Sequence, residues 1–149
     1  MINIRPLTPN DKSEMMAMEY SLNHTDAVDE PAPQAVIERS FQAAISSNPH
    51  LDGYIIEQEG KIAGFAYLTY YYSCEVARNV VMIEELFIKE KYRSKGIGKE
   101  FFDWLYKKYP KDIRFKLEVT PDNKATHLYK RVGFTFLDHK EMVFDIKNW

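Results

Sequence analysis

Apolar residues change their spacing several times along this chain, and each change marks an element. INIRPL alternates weakly and predicts a short first strand. Thr8-Pro9-Asn10-Asp11 follows: Thr8 can cap a helix, Pro9 suits its first position, and Asp11 stands where a capping box places an acid. A helix over 9–22 is predicted, with Met15, Met18 and Leu22 on one face. NHTDAVDEPAP is polar, holds two prolines and reads as a loop. A second helix over 34–47 carries a stripe of Val36, Ile37, Phe41, Ala44 and Ile45, and Asn48-Pro49 ends it.

The period then shortens. YIIEQEGKIAGFAYLTYYY reads as two strands around a turn at Glu59-Gly60. SCEVARN is a turn, and VVMIEELFI (80–88) is a strand with Glu84 and Glu85 at its centre. RSKGIG is a glycine loop. KEFFDWLYKKY has helical spacing and Pro110 stops it. IRFKLEV alternates as a strand, NKATHLYKRV reads as a short helix closed by Gly133, and TFLD and EMVFDI read as a final pair of strands. The order β-α-α-β-β-β-α-β-α-β-β predicts an α+β or mixed α/β layer around one long sheet.

Composition narrows the class. The chain has 149 residues, 45% hydrophobic, a length that suits a single domain over 1–149 with one core. Net charge is −2 with both signs dispersed, which gives no support for a nucleic-acid binder. Cys74 is alone, so no intrachain disulfide forms. The start resembles no signal peptide, and no apolar run reaches the roughly 18 residues of a membrane span. A cytoplasmic protein with no membrane partner is expected. No His/Cys/Asp cluster has metal-ligand spacing, so no metal is expected.

The glycine loop carries candidate chemistry. A strand, then Arg93-Ser94-Lys95-Gly96-Ile97-Gly98-Lys99, then a helix, is phosphate-binding architecture. Unpaired N–H groups at a helix start attract anions, the helix dipole adds to this, and glycine lets an anion come close. Arg93, Lys95 and Lys99 add formal charge. Glu100 and the glycine spacing exclude a P-loop, and Phe101 stands where a dinucleotide fingerprint needs a small residue. The spacing by itself leaves an ordinary tight turn open.

The longer stretch is more specific. E-E-L-F-I-x-x-x-Y-R-S-K-G-I-G-K resembles the coenzyme A signature of the GNAT superfamily of N-acetyltransferases, [R/Q]-x-x-G-x-[G/A] after the fourth strand. Leu128 to Phe134, L-Y-K-R-V-G-F, resembles the second signature of that superfamily. The acid pair, Y-R-x-x-G-I-G and the Y-K-R-x-G run together are most similar to its polyamine and diamine branch. The resemblance implies the GNAT fold: a mixed, mostly antiparallel sheet of six to seven strands flanked by about four helices. One departure stands out. The family places an Asn seven residues before the helix tyrosine; here Asp122 holds that place and Asn123 follows it.

The resemblance also implies a cosubstrate and roles. Acetyl-CoA would set its pyrophosphate on the N–H groups of Ser94, Lys95, Gly96, Ile97, Gly98 and Lys99, with Arg93 beside them. Its pantetheine arm would run as an extra strand along Leu86, Phe87 and Ile88, and Asn123 and Lys130 complete the expected coenzyme contacts. An amine then attacks the thioester directly through a tetrahedral intermediate. An alkyl amine has a pKa near 10 and must first lose a proton, which a carboxylate can accept. Strand alternation sends Glu84 and Glu85 to opposite faces. Glu84 matches the base position of the polyamine branch and is favoured; Glu85 is the runner-up as substrate anchor, and Glu118 matches the base position of another branch. Each has a plainer reading as a paired structural carboxylate. Tyr129 is the expected proton donor to the leaving thiolate, against a plainer reading as a core tyrosine, and a backbone N–H, that of Phe87, is expected to hold the oxyanion. Asp26, Asp29 and Glu30 read as solvated, with attraction of a cationic amine as the alternative, and His24 and His127 read as surface or packing residues.

The expected activity is acetyl transfer to a small primary amine such as a diamine, polyamine or lysine-like compound. Alternatives are a protein lysine or N-terminal acetyltransferase, a non-catalytic acyl-CoA-binding module, and a scaffold without ligand. Dimers are common in the family, which leaves a homodimer open.

Overall fold

A computed structural model describes residues 1–146. Its elements are β1 (Ile2–Pro6), a 3-10 turn (Pro9–Asp11), α1 (Lys12–Leu22), α2 (Gln34–Ile45), β2 (Leu51–Gln58), β3 (Lys61–Ser73) and β4 (Arg78–Ile88). A second 3-10 turn (Glu90–Tyr92), α3 (Ile97–Lys108), β5 (Arg114–Leu117) and α4 (Thr126–Arg131) complete them. The cap at Thr8 forms as its sequence predicts. The Thr8 N–H and hydroxyl both donate to Asp11 Oδ2, at 2.8 and 2.7 Å. Arg5 reaches the same carboxylate with both terminal nitrogens and holds its pKa well below the usual carboxylate range.

The five strands lie in sequence order, β1-β2-β3-β4-β5. Pairing is antiparallel from β1 to β4 and parallel between β4 and β5, so α3 is the crossover that parallel neighbours require. Apolar residues collect on both faces of the sheet. Met15, Met18, Leu22 and Phe41 of α1 and α2 pack on Ile55, Phe65, Tyr67 and Phe87. On the other face, Ile97, Phe101, Phe102 and Leu105 of α3 pack on Ile56, Leu68, Val81 and Ile83, and Leu128 and Tyr129 of α4 and Val132 just after it join them.

The sequence predicts six to seven strands; five form among the described residues. TFLD and EMVFDI are the two that do not pair. Phe134 to Glu141 stand across a gap of ≈ 730 Å³ from β5 instead of bonding to it. Met142, Val143, Phe144 and Ile146 are 88–97% exposed. Alternation reports which residues suit an extended backbone; it does not supply a partner strand, and β5 offers an edge only four residues long.

Candidate active site

The site begins where β4 and β5 part. Their ladder runs from Val80–Arg114 to Ile83–Leu117 and stops. β4 continues to Ile88, paired only with β3, so one edge of its last residues has no neighbouring strand. A cleft of ≈ 1120 Å³ opens beside that edge. Leu86, Phe87 and Ile88 form one wall, the glycine loop and Asn123 another, and Thr25 to Ala27 of the α1–α2 loop cover it. Thr120 ties the far side to that cover by donating to the Asp26 carbonyl at 2.6 Å.

The glycine loop is shaped by backbone conformation. Ser94 and Gly96 both have positive φ, 58° and 84°. This folds the chain sharply into α3, whose first internal bond is Glu100 N–H to Gly96 C=O at 3.0 Å. The N–H groups of Ile97, Gly98 and Lys99 precede that bond and are left for a ligand. Gly98 has a second role: a Cβ there would stand 2.6 Å from Leu128 Cδ2, so its smallness lets α4 approach α3. Arg93 donates from Nε to the Ile88 carbonyl at 2.8 Å and lies over the Phe87 ring, clamping the loop to the end of β4.

The predicted coenzyme residues fall into two groups. Leu86, Phe87, Ile88, Arg93, Ser94, Gly96, Ile97, Gly98, Lys99 and Asn123 all line the cleft. Lys95 and Lys130 stand outside that lining: Lys95 lies over Tyr92, and Lys130 lies over Phe136 beside the second gap. Lys124 and Arg131, which the sequence reading passed over, line the cleft in their stead. Arg131 is the neighbour of Lys130 in the L-Y-K-R run, and on a helix that one-residue step turns it toward the loop. Asn123 also starts the last helix, its Oδ1 accepting the Ala125 N–H at 2.9 Å.

Acids gather on β4 just before the cleft wall, and none of Glu84, Glu85 and Glu118 is itself among the residues that line the cleft. Tyr67 pairs with Glu85 and Leu68 with Ile83, so Glu84 is the extra residue of a β-bulge. This corrects the expectation that Glu84 and Glu85 face opposite ways. Thr69, on the same face of β3 as Tyr67, donates to Glu84 Oε1 at 2.5 Å, so both glutamates project toward the α1 side. Glu84 is exposed, two residues before the cleft wall at Leu86. Glu118 follows β5 and lines the second gap rather than the cleft. Its pKa is raised, first by hydrogen bonding to Glu141, then by burial and by the charges of Glu141 and Glu84.

Glu85 is half-buried and meets Glu19 of α1, which is 2% exposed. Burial raises the pKa of both, and the neighbouring Glu85 charge lifts Glu19 further, to about 9. Nothing in the sequence marked Glu19 or Tyr67 beyond a polar residue on the buried side of a helix and an aromatic on a strand. Tyr129 stands where the cleft and the second gap meet, its ring packed edge-on against Phe102 and Phe134. Burial raises its pKa, so the phenol keeps its proton at neutral pH. Three consecutive tyrosines of β3 stand away from the cleft: Tyr70 bonds Asp52 and Tyr109, and Tyr71 and Tyr72 are exposed. Among the described residues no cluster suits a metal ion, and no helix is long and apolar enough to cross a membrane.

Residues 14–134 match the model of a family described as the acetyltransferase (GNAT) family. No curated protein sequence matches the chain. Among solved structures the chain is similar to a possible acetyltransferase from Clostridium difficile 630, at 17% identity and TM-score 0.81 over 99% of each chain. It is similar to AAC(6')-Iy in complex with the bisubstrate analog CoA-S-monomethyl-acetylneamine, at 17% identity and TM-score 0.72, covering 100% of this chain and 99% of that one. A predicted acetyltransferase with acetyl-CoA from Clostridium acetobutylicum matches at 17% identity and TM-score 0.75, covering 97% and 96%.

Proposed function

The chain belongs to the GNAT acetyltransferase family and is an acetyl-CoA-dependent N-acetyltransferase, and from that premise we propose that its acceptor is the primary amine of a small molecule, of the diamine, polyamine or lysine-like kind. The observation that carries the reading is the junction at the β4 bulge. There the strand whose unpaired edge walls a coenzyme-sized cleft carries Glu84 and Glu85 immediately before that wall.

The cleft fits the coenzyme. Its strand edge at Leu86–Ile88 offers main-chain bonds to an amide-bearing arm. Its loop offers N–H groups at a helix start, and Arg93, Lys99, Lys124 and Arg131 make that end basic, as a polyphosphate requires. Acetyl-CoA supplies an acyl group already activated as a thioester. The chain supplies proton transfer and orientation. Glu84, held by Thr69, takes the proton from the incoming ammonium. Tyr129 holds a proton at its hydroxyl, available to the departing sulfur. The β3–β4 register turns the Phe87 N–H toward Phe65, against the expectation for it, so the developing oxyanion charge would instead meet an N–H of the open edge, that of Leu86 or Ile88.

The reading includes a cytoplasmic location, where an exposed free thiol such as Cys74 stays reduced. It also includes a homodimer, supported by the exposed apolar side chains Phe136, Leu137, Met142, Val143, Phe144 and Ile146; light scattering distinguishes the two states. The acceptor is tested by calorimetric titration with acetyl-CoA followed by amine-dependent release of CoA thiol. Coenzyme binding and turnover of free primary amines are expected. Turnover of lysine peptides alone would move the acceptor to proteins, and coenzyme binding without any turnover would make the chain a binding module.

A further inference from the structure

At the β4 bulge the ladder lets go of Glu84. It stands opposite no residue of β3, and the pairing with β5 has ended at Ile83. An extra residue of this kind is free to turn unless its surroundings hold it. Thr69 bonds its Oε1 from one side. Its chain neighbour Glu85 crosses to α1 and meets Glu19 there at hydrogen-bonding range.

Glu19 is a fixed point. It is 2% exposed and shares the buried face of α1 with Met15, Met18 and Leu22. Its carbonyl accepts both the backbone N–H and the side-chain Nδ2 of buried Asn23, each at 2.9 Å. Asn23 Oδ1 in turn accepts the Ala32 N–H at 2.8 Å, which ties this end of α1 to the loop beyond it.

Two carboxylates in contact and shielded from water repel unless a cation or a proton lies between them. No ion pair of the described residues includes Glu19 or Glu85, and Lys89, the base further along the same contact, is engaged with Glu14 at 2.6 Å. The other groups that bear on the pair are the unpartnered Tyr67 hydroxyl of β3 and the Glu84 charge, and neither is a cation. No N–H or hydroxyl of the described residues donates to Glu85 Oε2, which is fully enclosed. The contact therefore holds through one proton. Glu19 carries it: burial and the Glu85 charge lift its pKa to about 9, whereas the bond to Glu19 works against the rise at Glu85. An acid O–H donated to a carboxylate is among the shorter and stronger hydrogen bonds.

We infer that Glu19 is a positioning residue for acetyl transfer: its O–H holds Glu85 to α1, and Glu85 holds the bulge in the turn that aims Glu84 at the incoming amine. The inference rests on the reading of Glu84 as the base and adds what keeps that base in place. Loss of the proton reverses the contact. Two like charges then push β4 from α1, and Glu84 loses its aim while the glycine loop keeps its shape.

The test measures kcat and KM for putrescine across pH, at saturating acetyl-CoA, in wild type, Glu19→Gln and Glu19→Met. The glutamine amide donates to Glu85 as the acid does but never titrates; methionine keeps the length and has no donor. At neutral pH Glu19→Gln should keep the wild-type kcat, and Glu19→Met should lose about ten- to a hundred-fold, the cost of a misplaced group. Acetyl-CoA affinity by calorimetry should be unchanged in both. Above the Glu19 midpoint, wild-type kcat should fall relative to Glu19→Gln, by about ten-fold at about one pH unit beyond it. The acceptor titrates alike in both proteins, so its own ionisation cancels. Infrared difference spectra between the two proteins, taken without substrate, should show the carbonyl band of a protonated carboxylic acid that wild type loses over the same pH range. Parallel pH profiles for wild type and Glu19→Gln, or no such band, overturn the positioning role while leaving Glu84 as base; both readouts hold even where Glu19→Met fails to fold. Glu84→Gln, run alongside, separates the two readings: turnover equal to wild type removes the base assignment and the positioning role together.

Discussion

Along the glycine loop the groups offered to a ligand are main-chain N–H groups and basic side chains; at the bulge beside the cleft most are carboxyls. The first wall is made by φ angles, a helix start and a strand edge, all contributed by one stretch from Leu86 to Lys99. The acidic region lies beside the cleft rather than in its lining and brings together Glu19 from α1, Tyr67 and Thr69 from β3, Glu84 and Glu85 from β4, and Glu118 after β5. One region combines main-chain groups that every residue has with the basic side chains Arg93, Lys99, Lys124 and Arg131. The other is acidic and uses groups only certain residues have. The first can hold a constant cosubstrate, and the second is where an acceptor can be chosen. Substitutions should therefore split cleanly by region.

The largest split is expected at the base. Glu84→Gln should lower kcat by about 10²- to 10⁴-fold, the usual worth of a positioned general base, while acetyl-CoA affinity by calorimetry stays as it was. Tyr129→Phe comes next, with kcat down by about ten- to a hundred-fold, toward the low end of such effects; its ring packing on Phe102 and Phe134 survives, so the thermal midpoint should hold.

On the cleft wall, Gly96→Val forces a β-branched residue to φ 84°. It should weaken acetyl-CoA binding by about ten-fold, since the strain is of order 1–2 kcal/mol. The turnover ratio of putrescine to butylamine, its monoamine counterpart, should not move. A change in that ratio would mean that the two regions are coupled rather than independent.

The smallest effect is on stability. Glu19 has a folded-state pKa raised from 4.5 to about 9, so its favourable contribution is complete below the unfolded value and fades as pH rises toward the folded one. Wild-type stability should thus decline between those limits. Glu19→Gln, uncharged throughout, should raise the melting midpoint by about 2–4 °C near pH 8 and by less near pH 5. Parallel melting curves for the two proteins across pH would remove the buried pair from the account.

The same contrast explains how much could be read from the chain. The glycine loop was legible because it is contiguous: a strand, two glycines and a helix in one run carry their own geometry. Nine of the contacts predicted from that run line the cleft. Lys130 and Arg131 were told apart only by the turn of α4, which composition does not give. The acid cluster was half legible. Glu84 and Glu85 announce themselves inside an apolar strand, but their common direction depends on a bulge opposite Tyr67–Leu68, a feature of pairing rather than of either strand. Glu19 reads as an ordinary helix acid until α1 is laid on β4. The last strands fail for the same reason: EMVFDI alternates well, yet whether it pairs is decided by another edge.

The most direct test is a single turnover with acetyl-CoA and putrescine, followed by mass spectrometry of the amine, the coenzyme and the intact chain. The account predicts monoacetylated putrescine and free CoA in equal amounts, with the chain itself unmodified throughout. Release of CoA with acetate as the only product, or an acetylated chain appearing before the acetylated amine, would contradict direct transfer between the two regions.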